Sequence, residues 1–364
     1  MLVGDAFGGW GGMAKFNRDF LGALASHPRT TEIVAVPRRI TGPVGALPDK
    51  LDYRVGAASG DAAFVVACAR IAAGRGRFDA IFLGLINLAP FASAIASWKR
   101  APVVTIIHGI DAWTPTSRAL TNLAARRSRG VIAVSQTTLT RFESWSGTKG
   151  RPAFVVPNTV SLERFRPGPG SDDLRDRYGL RGRTVLMTLA RLDPYERYKG
   201  IDEVFDVLPS LAETIPNLSY LIAGDGGDRP RLAAEVRRLG LDERVVFAGR
   251  IDEERKADHY RLADAFVMPG RGEGFGIVYL EALACGVPVV GSVLDGSRDA
   301  LLDGRLGVLV DPNDRQDLVR GILEALRRPK GEVPALLSEF SEARYVERVH
   351  AVVEAIAGGA LMRG

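Results

Sequence analysis

Apolar runs with the length of buried β-strands alternate with helix-like stretches along the chain, and this alternation limits the possible folds more than any other feature. Such alternation is typical of parallel sheets assembled from β-α-β units. The runs that predict strands are 32–36, 79–84, 102–108, 130–135, 153–157, 183–190, 218–224, 244–249, 263–269, 288–292 and 307–310. The stretches that predict helices include 13–26, 200–214, 229–239, 277–285 and 315–327. Because the strand-like runs are almost continuously apolar, we expect helices on both faces of each sheet, the doubly wound α/β arrangement.

The length of the chain and one stretch rich in Pro and Gly predict two domains. The chain has 364 residues, and one domain takes about 150. The stretch at 165–173 separates the two series of strands and has the composition of a linker. We therefore expect an N-terminal domain at 1–165, a C-terminal domain at 166–345, and a C-terminal helix at 346–364 that packs back toward the N-terminal domain. Because doubly wound sheets bind ligands at the carboxyl ends of their strands, a cleft between the domains is the expected site.

Charge is distributed unevenly between the two halves. Residues 1–170 carry 21 Lys and Arg against 10 Asp and Glu, whereas residues 171–364 carry 27 against 33. The basic half predicts a surface for anionic partners, either nucleic acid or anionic lipid headgroups. Basic and aromatic residues are not interleaved in this half, so we expect no nucleic-acid partner.

The stretch 118–129 combines several arginines with Leu120 and Leu123 at helical spacing. One interpretation is a basic amphipathic helix that lies on an anionic membrane surface. The other is a helix whose leucines face the core and whose arginines are merely solvated. Both remain open at this point.

Other features bear on cellular location and on metals. The chain start lacks the pattern of a signal peptide, so we expect a cytoplasmic protein, with peripheral attachment at the inner face of the cytoplasmic membrane as an extension. The uncharged run 80–98 is better explained by a strand and a Pro-started helix than by a membrane span. Cys68 and Cys285 match no metal-ligand spacing and are expected to be buried free thiols.

A Gly-rich turn precedes the first predicted helix. Gly9, Gly11 and Ala14 match the GxGxxA dinucleotide pattern, and Arg38 and Arg39 follow the second strand, where the 2′-phosphate of NADP would lie. One alternative function is therefore an NADP-binding oxidoreductase. A tight turn without any ligand explains the glycines equally well.

The second half carries a more specific set of charged residues. Arg191 follows a predicted strand and Lys199 opens the next helix, so the two cations could grip one diphosphate. Glu273 and Glu281 have Glu-x7-Glu spacing, and Glu281 lies in an otherwise apolar helix, where a carboxylate is costly without a partner. The hydroxyl groups of a ribose would be such a partner, and the backbone amides at 275–276 could hold a phosphate.

These residues, taken in order, resemble the retaining glycosyltransferases of family 4, which have the GT-B fold. The resemblance extends from about residue 7 to residue 350 and is closest to bacterial enzymes that build exopolysaccharide, capsule or lipid-linked oligosaccharides. It implies two Rossmann-like doubly wound α/β domains that face each other across a cleft. The matching stretches are Gly11-Gly12, Ile107-His108-Gly109, Val156-Pro157-Asn158, Ala190-Arg191-Leu192, Lys199-Gly200, Ala223-Gly224-Asp225-Gly226, Phe247-Ala248-Gly249-Arg250 and 273–288.

The resemblance implies four catalytic residues. Arg191 and Lys199 would hold the nucleotide diphosphate, Glu273 would contact the transferred sugar, and His108 would face the sugar near its anomeric carbon. Glu281 would bind the ribose hydroxyls. The set expected to bind the donor is Gly11, Gly12, Arg191, Lys199, Gly224, Arg250, Ile251, Glu273, Phe275, Gly276 and Glu281. Within this set, the backbone at 250–251 would meet the base, and the two glycines of the first domain would close on the phosphate.

The implied reaction transfers a hexosyl unit, with retention of configuration, from a UDP- or GDP-sugar to a hydroxyl group. The acceptor would be a glycan, a lipid-linked molecule or a small molecule. The chain has no Asp-x-Asp motif for a metal-bound diphosphate, so we expect no metal and no cofactor. A second alternative function is a catalytically silent protein that binds nucleotide sugars or a partner on the same fold. The family's Gly-Gly and Glu after the last conserved strand are replaced by Asp295-Gly296 and Asp299, which bears on acceptor or phosphate contacts there.

Overall fold

The computed structural model describes residues 1–361, which form two compact units. Unit 1 contains Met1–Asn158 and the chain from Ala343 onward, and unit 2 contains Thr159–Glu342. The division precedes the stretch rich in Pro and Gly, because the start of that stretch is fixed to unit 2. There Phe165 is buried, and the carbonyl of Arg166 accepts hydrogen bonds from the guanidinium of Arg261.

Unit 1 contains a seven-stranded sheet with the order β3-β2-β1-β4-β5-β6-β7, and every pair of neighbours is parallel. Its strands are β1 (Leu2–Val3), β2 (Ile33–Pro37), β3 (Leu51–Tyr53), β4 (Ile81–Leu83), β5 (Val103–Ile107), β6 (Gly130–Ala133) and β7 (Ala153–Val155). Its helices are α1 (Gly12–Ser26), α2 (Asp61–Ala73), α3 (Ala89–Lys99), α4 (Ala119–Ala125), α5 (Gln136–Ser146) and, from the end of the chain, α13 (Glu342–Ala357). Helix α13 packs Tyr345 edge-on against Phe16 of α1, with 5.9 Å between the ring centroids.

Unit 2 contains a six-stranded parallel sheet with the order β10-β9-β8-β11-β12-β13. Its strands are β8 (Thr184–Leu189), β9 (Leu218–Ala223), β10 (Val245–Gly249), β11 (Ala265–Val267), β12 (Val289–Ser292) and β13 (Val308–Val310). Its helices are α6 (Asp172–Arg177), α7 (Ile201–Thr214), α8 (Arg229–Arg238), α9 (Lys256–Tyr260), α10 (Ile277–Ala284), α11 (Ser297–Ala300) and α12 (Arg315–Arg327). The strand order reverses between β8 and β11, so the crevice of a doubly wound sheet lies at their carboxyl ends.

The two doubly wound α/β sheets confirm the predicted fold class. Each strand-like run contains a strand, which is shorter than its run in most cases, and the predicted helix at 315–327 has the observed bounds. The run 80–98 forms β4 and α3, and no helix of residues 1–361 is long and apolar enough to cross a membrane. Strand β3 and helix α2 were not predicted.

Helix α4 differs from both interpretations of the stretch 118–129. It ends at Ala125, so the arginines at 126, 127 and 129 follow the helix rather than belong to it. The interpretation in which its leucines face the core is wrong, because Leu120 and Leu123 are 65% and 51% exposed. The core side of α4 is instead formed by Thr121, Ala124 and Ala125.

Candidate active site

The residues predicted to bind the donor in unit 2 lie in loops at one edge of its sheet. Because all six strands are parallel, the loops that follow them leave from the same edge. The structure therefore brings these loops to the crevice side of the sheet. They comprise Arg191 after β8, Lys199 at the end of a 3₁₀ turn, Gly224 after β9, Arg250 and Ile251 after β10, and Glu273, Phe275 and Gly276 between β11 and α10.

Lys199 and Glu273 form an ion pair at this edge. The Nζ atom of Lys199 lies 2.7 Å from Oε2 of Glu273, and each side chain is only 17% exposed. Burial alone lowers the pKa of Lys199, but Glu273, together with Tyr198 and Asp295, outweighs this effect and the net pKa is raised. Lys199 is therefore a fixed, fully charged ammonium at neutral pH.

Asp295 holds the loop that carries Glu273. Its Oδ2 atom accepts a hydrogen bond from the backbone N–H of Glu273 at 2.9 Å, and its Oδ1 accepts one from the backbone N–H of Ser297 at 3.0 Å. The backbone N–H of Gly296 donates in return to the carbonyl of Glu273 at 2.8 Å. Burial raises the pKa of Asp295, while these hydrogen bonds act in the opposite direction. At this departure from the family pattern, Asp295 positions the Glu273 loop.

The start of helix α10 offers backbone amides rather than side chains. Gly276 is its N-cap, with φ of 91°, and a Cβ atom at this position would lie 2.3 Å from the ring of Tyr279. The side chain of Phe275 is buried, and its ring centroid lies 5.5 Å from that of Phe340. The expected phosphate contacts at 275–276 can therefore come only from the main chain.

Glu281 already has protein partners. Its side chain is 5% exposed; Oε2 accepts a hydrogen bond from the Tyr260 hydroxyl at 2.7 Å, and Oε1 lies 3.7 Å from Nζ of Lys256. Burial and the neighbouring Glu281 raise the pKa of Tyr260 well above its ordinary range, so the hydroxyl stays protonated and donates. From the sequence we expected ribose hydroxyls as the partners of this carboxylate. Both protein partners were missed, since nothing in their spacing to Glu281 reveals them.

Arg191 and Gly224 lie side by side at the ends of β8 and β9. The Arg191 side chain is 68% exposed and forms an ion pair with Glu196 of the same loop. A Cβ atom on Gly224 would lie 1.8 Å from the carbonyl oxygen of Ala190, so only glycine permits this approach of the two loops. Close packing of the main chain thus accounts for Gly224 without any ligand.

In unit 1, His108 directly follows β5 and lies at the carboxyl edge of the sheet. Its Nε2 atom lies 3.1 Å from the carbonyl oxygen of Gly84, and its ring packs edge-on against Phe16 with 5.0 Å between centroids. Burial lowers the pKa of His108 to about 4, although the hydrogen bond to Gly84 acts in the opposite direction. Gly11 is the N-cap of α1 and Gly12 its first residue, and both are exposed.

Asp111, three residues after His108, is a half-buried acid that was not predicted from the sequence. Its Oδ2 atom is buried and has no hydrogen-bond partner among residues 1–361. Burial raises the pKa of Asp111 to about 7, against hydrogen bonds from the backbone of Asp111 and Gly109. A buried carboxyl oxygen without a partner is costly, so this atom is a candidate acceptor for a ligand hydroxyl.

The arginine that suggested an NADP site has partners within the protein. Arg38, proposed to meet the 2′-phosphate, instead pairs with Asp61 and lies over the ring of Phe64. Within the described part of the chain, no group of three or more His, Cys, Asp or Glu residues is arranged to hold a metal ion.

Two family models together match most of the chain. Residues 10–164 match "Glycosyltransferase Family 4", and residues 171–344 match "Glycosyl transferases group 1". The two matched ranges correspond closely to the sheets of unit 1 and unit 2.

Several curated relatives are mannosyltransferases of mycobacteria. The chain is 35% identical, over 63% of its length, to a GDP-mannose-dependent alpha-(1-6)-phosphatidylinositol monomannoside mannosyltransferase of Mycolicibacterium smegmatis, but this match spans only 62% of that relative. It is 33% identical to a phosphatidyl-myo-inositol mannosyltransferase of Mycobacterium tuberculosis, over 76% of this chain and 70% of that protein.

The fold is also similar to that of solved structures. HepE of Anabaena, solved in complex with UDP-glucose, has a TM-score of 0.73 at 22% identity, and the match covers 97% of this chain and 99% of that one. Together with the two family models and the mycobacterial relatives, this similarity identifies the chain as a member of the family 4 glycosyltransferases with the GT-B fold.

Proposed function

We propose that this chain is a retaining, metal-independent mannosyltransferase that uses GDP-mannose and transfers the mannosyl unit to a lipid-linked hydroxyl acceptor. The observation that carries the proposal is the Lys199–Glu273 ion pair at the crevice edge of unit 2, which places a fixed cation beside a carboxylate. The cation suits a diphosphate, and the carboxylate suits sugar hydroxyls. The choice of mannose and GDP rests on the two mycobacterial relatives, whose names specify mannosyl transfer and, for one, GDP-mannose.

The proposed chemistry relies on preorganised charge. As the bond between the anomeric carbon and the β-phosphate oxygen breaks, negative charge accumulates on the leaving diphosphate. Lys199, Arg191 and the main-chain amides at the start of α10 stabilise this charge, because their positions are set before the reaction. The acceptor hydroxyl attacks the same face of the sugar and gives its proton to the departing phosphate oxygen, so no carboxylate nucleophile and no metal are required.

The protonation state of His108 limits its proposed role. With a pKa of about 4, its imidazole is neutral at physiological pH. A carbonyl oxygen can only accept, so Nε2 carries the hydrogen that is donated to Gly84, and Nδ1 is left as an acceptor. His108 therefore serves to orient a sugar hydroxyl and does not act as a general acid.

A comparison of several nucleotide sugars as donors tests the proposed function. We expect the protein, mixed with membrane lipid extract as acceptor, to release nucleoside diphosphate from GDP-mannose faster than from UDP-glucose, UDP-galactose or ADP-glucose. Absence of release from every donor, together with measurable binding of one of them, would instead support the silent nucleotide-sugar-binding alternative.

Substitution of the proposed donor residues should weaken donor binding. We expect Arg191→Ala and Lys199→Ala each to raise the dissociation constant of GDP-mannose by roughly 10- to 100-fold, because each removes a charge-assisted contact of about 1.5–3 kcal/mol. Glu281 accepts a buried hydrogen bond from Tyr260, so Glu281→Gln, which keeps the size of the side chain, is the appropriate change there. Calorimetric titration measures the affinity.

Arg237→Ala is the matched control for these variants, because Arg237 is exposed in the last turn of α8, which leads to the amino end of β10 and so to the sheet edge opposite the donor loops. Affinities of Arg191→Ala and Lys199→Ala equal to that of the control would contradict the site assignment.

The pH dependence of stability should reveal the buried, neutral His108. Between pH 6.5 and 4 the unfolded chain binds a proton at this residue that the folded chain excludes, so stability falls as pH falls, by up to about 3 kcal/mol. A non-titrating glutamine removes this contribution. We expect the difference in unfolding free energy between the wild type and His108→Gln to shrink by roughly 2–3 kcal/mol from pH 7 to pH 4 in urea titrations. A difference that stays constant with pH would refute a neutral His108.

We also propose that unit 1 attaches to anionic membranes through the exposed face of α4. Leu120 and Leu123 are exposed beside the arginines at 126, 127 and 129, and Trp98 on the adjacent α3 is 75% exposed. An apolar surface with flanking cations binds anionic bilayers in a salt-sensitive manner.

Vesicle co-sedimentation tests this attachment. At low salt we expect Leu120→Ser/Leu123→Ser to bind anionic vesicles about tenfold more weakly than the wild type, because apolar area no longer enters the bilayer. The control is Val65→Ser/Val66→Ser on α2, where the two valines are 47% and 45% exposed. Equal loss in both variants, or no vesicle binding by the wild type at low salt, would rule out a specific role for α4.

A further inference from the structure

An arginine-lined cavity lies at the amino ends of β5 and β6 in unit 1. Its volume is about 590 Å³, within the range of about 300–1,000 Å³ that is usual for small-molecule sites. The other lining residues include Ser93 and Ser97 of α3, and none of the described lining residues is acidic. The arginines that line it are Arg100, Arg126, Arg127, Arg129 and Arg151.

The main chain holds these arginines in place around the cavity. Arg100 caps the end of α3 in the left-handed conformation, with φ of 53°. Arg126 and Arg127 follow the end of α4, and Arg151 precedes β7. The Nη1 atom of Arg151 donates to the carbonyl oxygen of Arg126 at 2.8 Å and also to that of Ser128, so the loop after α4 is fixed before any ligand arrives.

Four of these five arginines have no carboxylate partner within the described chain. No ion pair among residues 1–361 involves Arg100, Arg126, Arg127 or Arg151, whereas Arg29 and Arg54 of the same unit each pair with an acid. Guanidinium groups stay protonated at any physiological pH, so their mutual repulsion around a concave space is relieved only by an anion. Phosphate matches the planar fork of arginine and offers oxygens to several arginines at once.

The position of the cavity separates it from the proposed transfer reaction. It borders Val103 at the amino end of β5, while His108 follows the carboxyl end of the same strand. Five residue steps of about 3.3 Å put roughly 16 Å between them. We propose that this cavity is a second anion site that binds phosphate groups, supplied by the headgroup of an anionic phospholipid or by a free phosphate compound.

The test uses the full chain and inorganic pyrophosphate as probe. In calorimetric titrations at low salt we expect two classes of site in the wild type, one at the donor loops and one at the cavity. Arg126→Gln/Arg127→Gln should lower the affinity of the cavity site at least about tenfold, since two charge-assisted contacts are lost. The charge-matched control, Arg70→Gln/Arg75→Gln, removes two exposed arginines of unit 1 that do not line the cavity, and should keep both sites.

Further variants separate the possible outcomes. Lys199→Ala should remove only the donor-loop site, so an unchanged titration of that variant contradicts the donor assignment and leaves the cavity assignment standing. If Arg126→Gln/Arg127→Gln keeps the donor-loop site, the variant is folded. Arg100→Gln is a second cavity variant, which removes only one of the lining arginines. Two intact sites in both of these cavity variants, or one site in the wild type that Lys199→Ala abolishes, would overturn the proposal.

Vesicles then identify the source of the phosphate. If pyrophosphate displaces the wild type from phosphatidylcholine vesicles that contain phosphatidylinositol, and the cavity variant binds those vesicles more weakly than the control, the ligand is a lipid headgroup. If pyrophosphate binds the cavity but does not affect vesicle binding, the ligand is a free phosphate compound.

Discussion

Parallel pairing of every strand is the constraint on which the rest of each unit depends. A parallel strand cannot be joined to its neighbour by a tight hairpin. Each connection therefore leaves the carboxyl edge of the sheet, crosses one face, mostly as a helix, and enters the next strand at the amino edge. The loops that leave the carboxyl edge are then neighbours in space although they are distant in sequence. In unit 2 this brings Lys199, which follows β8, to Glu273, which follows β11, across 74 positions of sequence.

The energetic cost of acids in these loops explains how the proposed site is organised. Glu273 and Glu281 are both largely removed from water, and each is held by a donor: Lys199 in one case and the Tyr260 hydroxyl in the other. A buried pair contributes little net stability, because desolvation offsets the attraction between the charges. Its value is geometric, since a ligand that enters can exchange partners with side chains that are already oriented. Asp295 accepts a hydrogen bond from the backbone N–H of Glu273 and so fixes the loop from which the Glu273 side chain reaches Lys199.

The fold and the types of the site residues could be predicted from the sequence, because apolar runs and charged residues in loops are local signals. The strand β3 was missed because Asp52 interrupts Leu51–Tyr53 and charged residues flank it, so no apolar run marks it. Helix α2 was missed because Asp61–Ala73 is apolar around most of its circumference. The partners Tyr260 and Asp295 could not be predicted, since they depend on how helices and loops meet in three dimensions. The covered face of α4 could not be predicted for a similar reason, because contacts of α4 with α3 decide which of its faces is covered.

The two edges of the unit 1 sheet are suited to ligands of opposite character. At the carboxyl edge, burial shifts the pKa of His108 down and that of Asp111 up, and both shifts favour the neutral forms. Near His108 and Asp111 this edge therefore offers hydrogen bonds from groups that are drawn toward neutrality, which suits the uncharged hydroxyls of a sugar or polyol. At the amino edge, the guanidinium groups stay protonated whatever their burial, so this edge keeps its positive charge and favours an anionic ligand. The excess of basic residues in the first half of the sequence is therefore not spread evenly over the surface of unit 1. Part of it is concentrated at the amino edge of the sheet, away from the edge at which we place the transfer reaction.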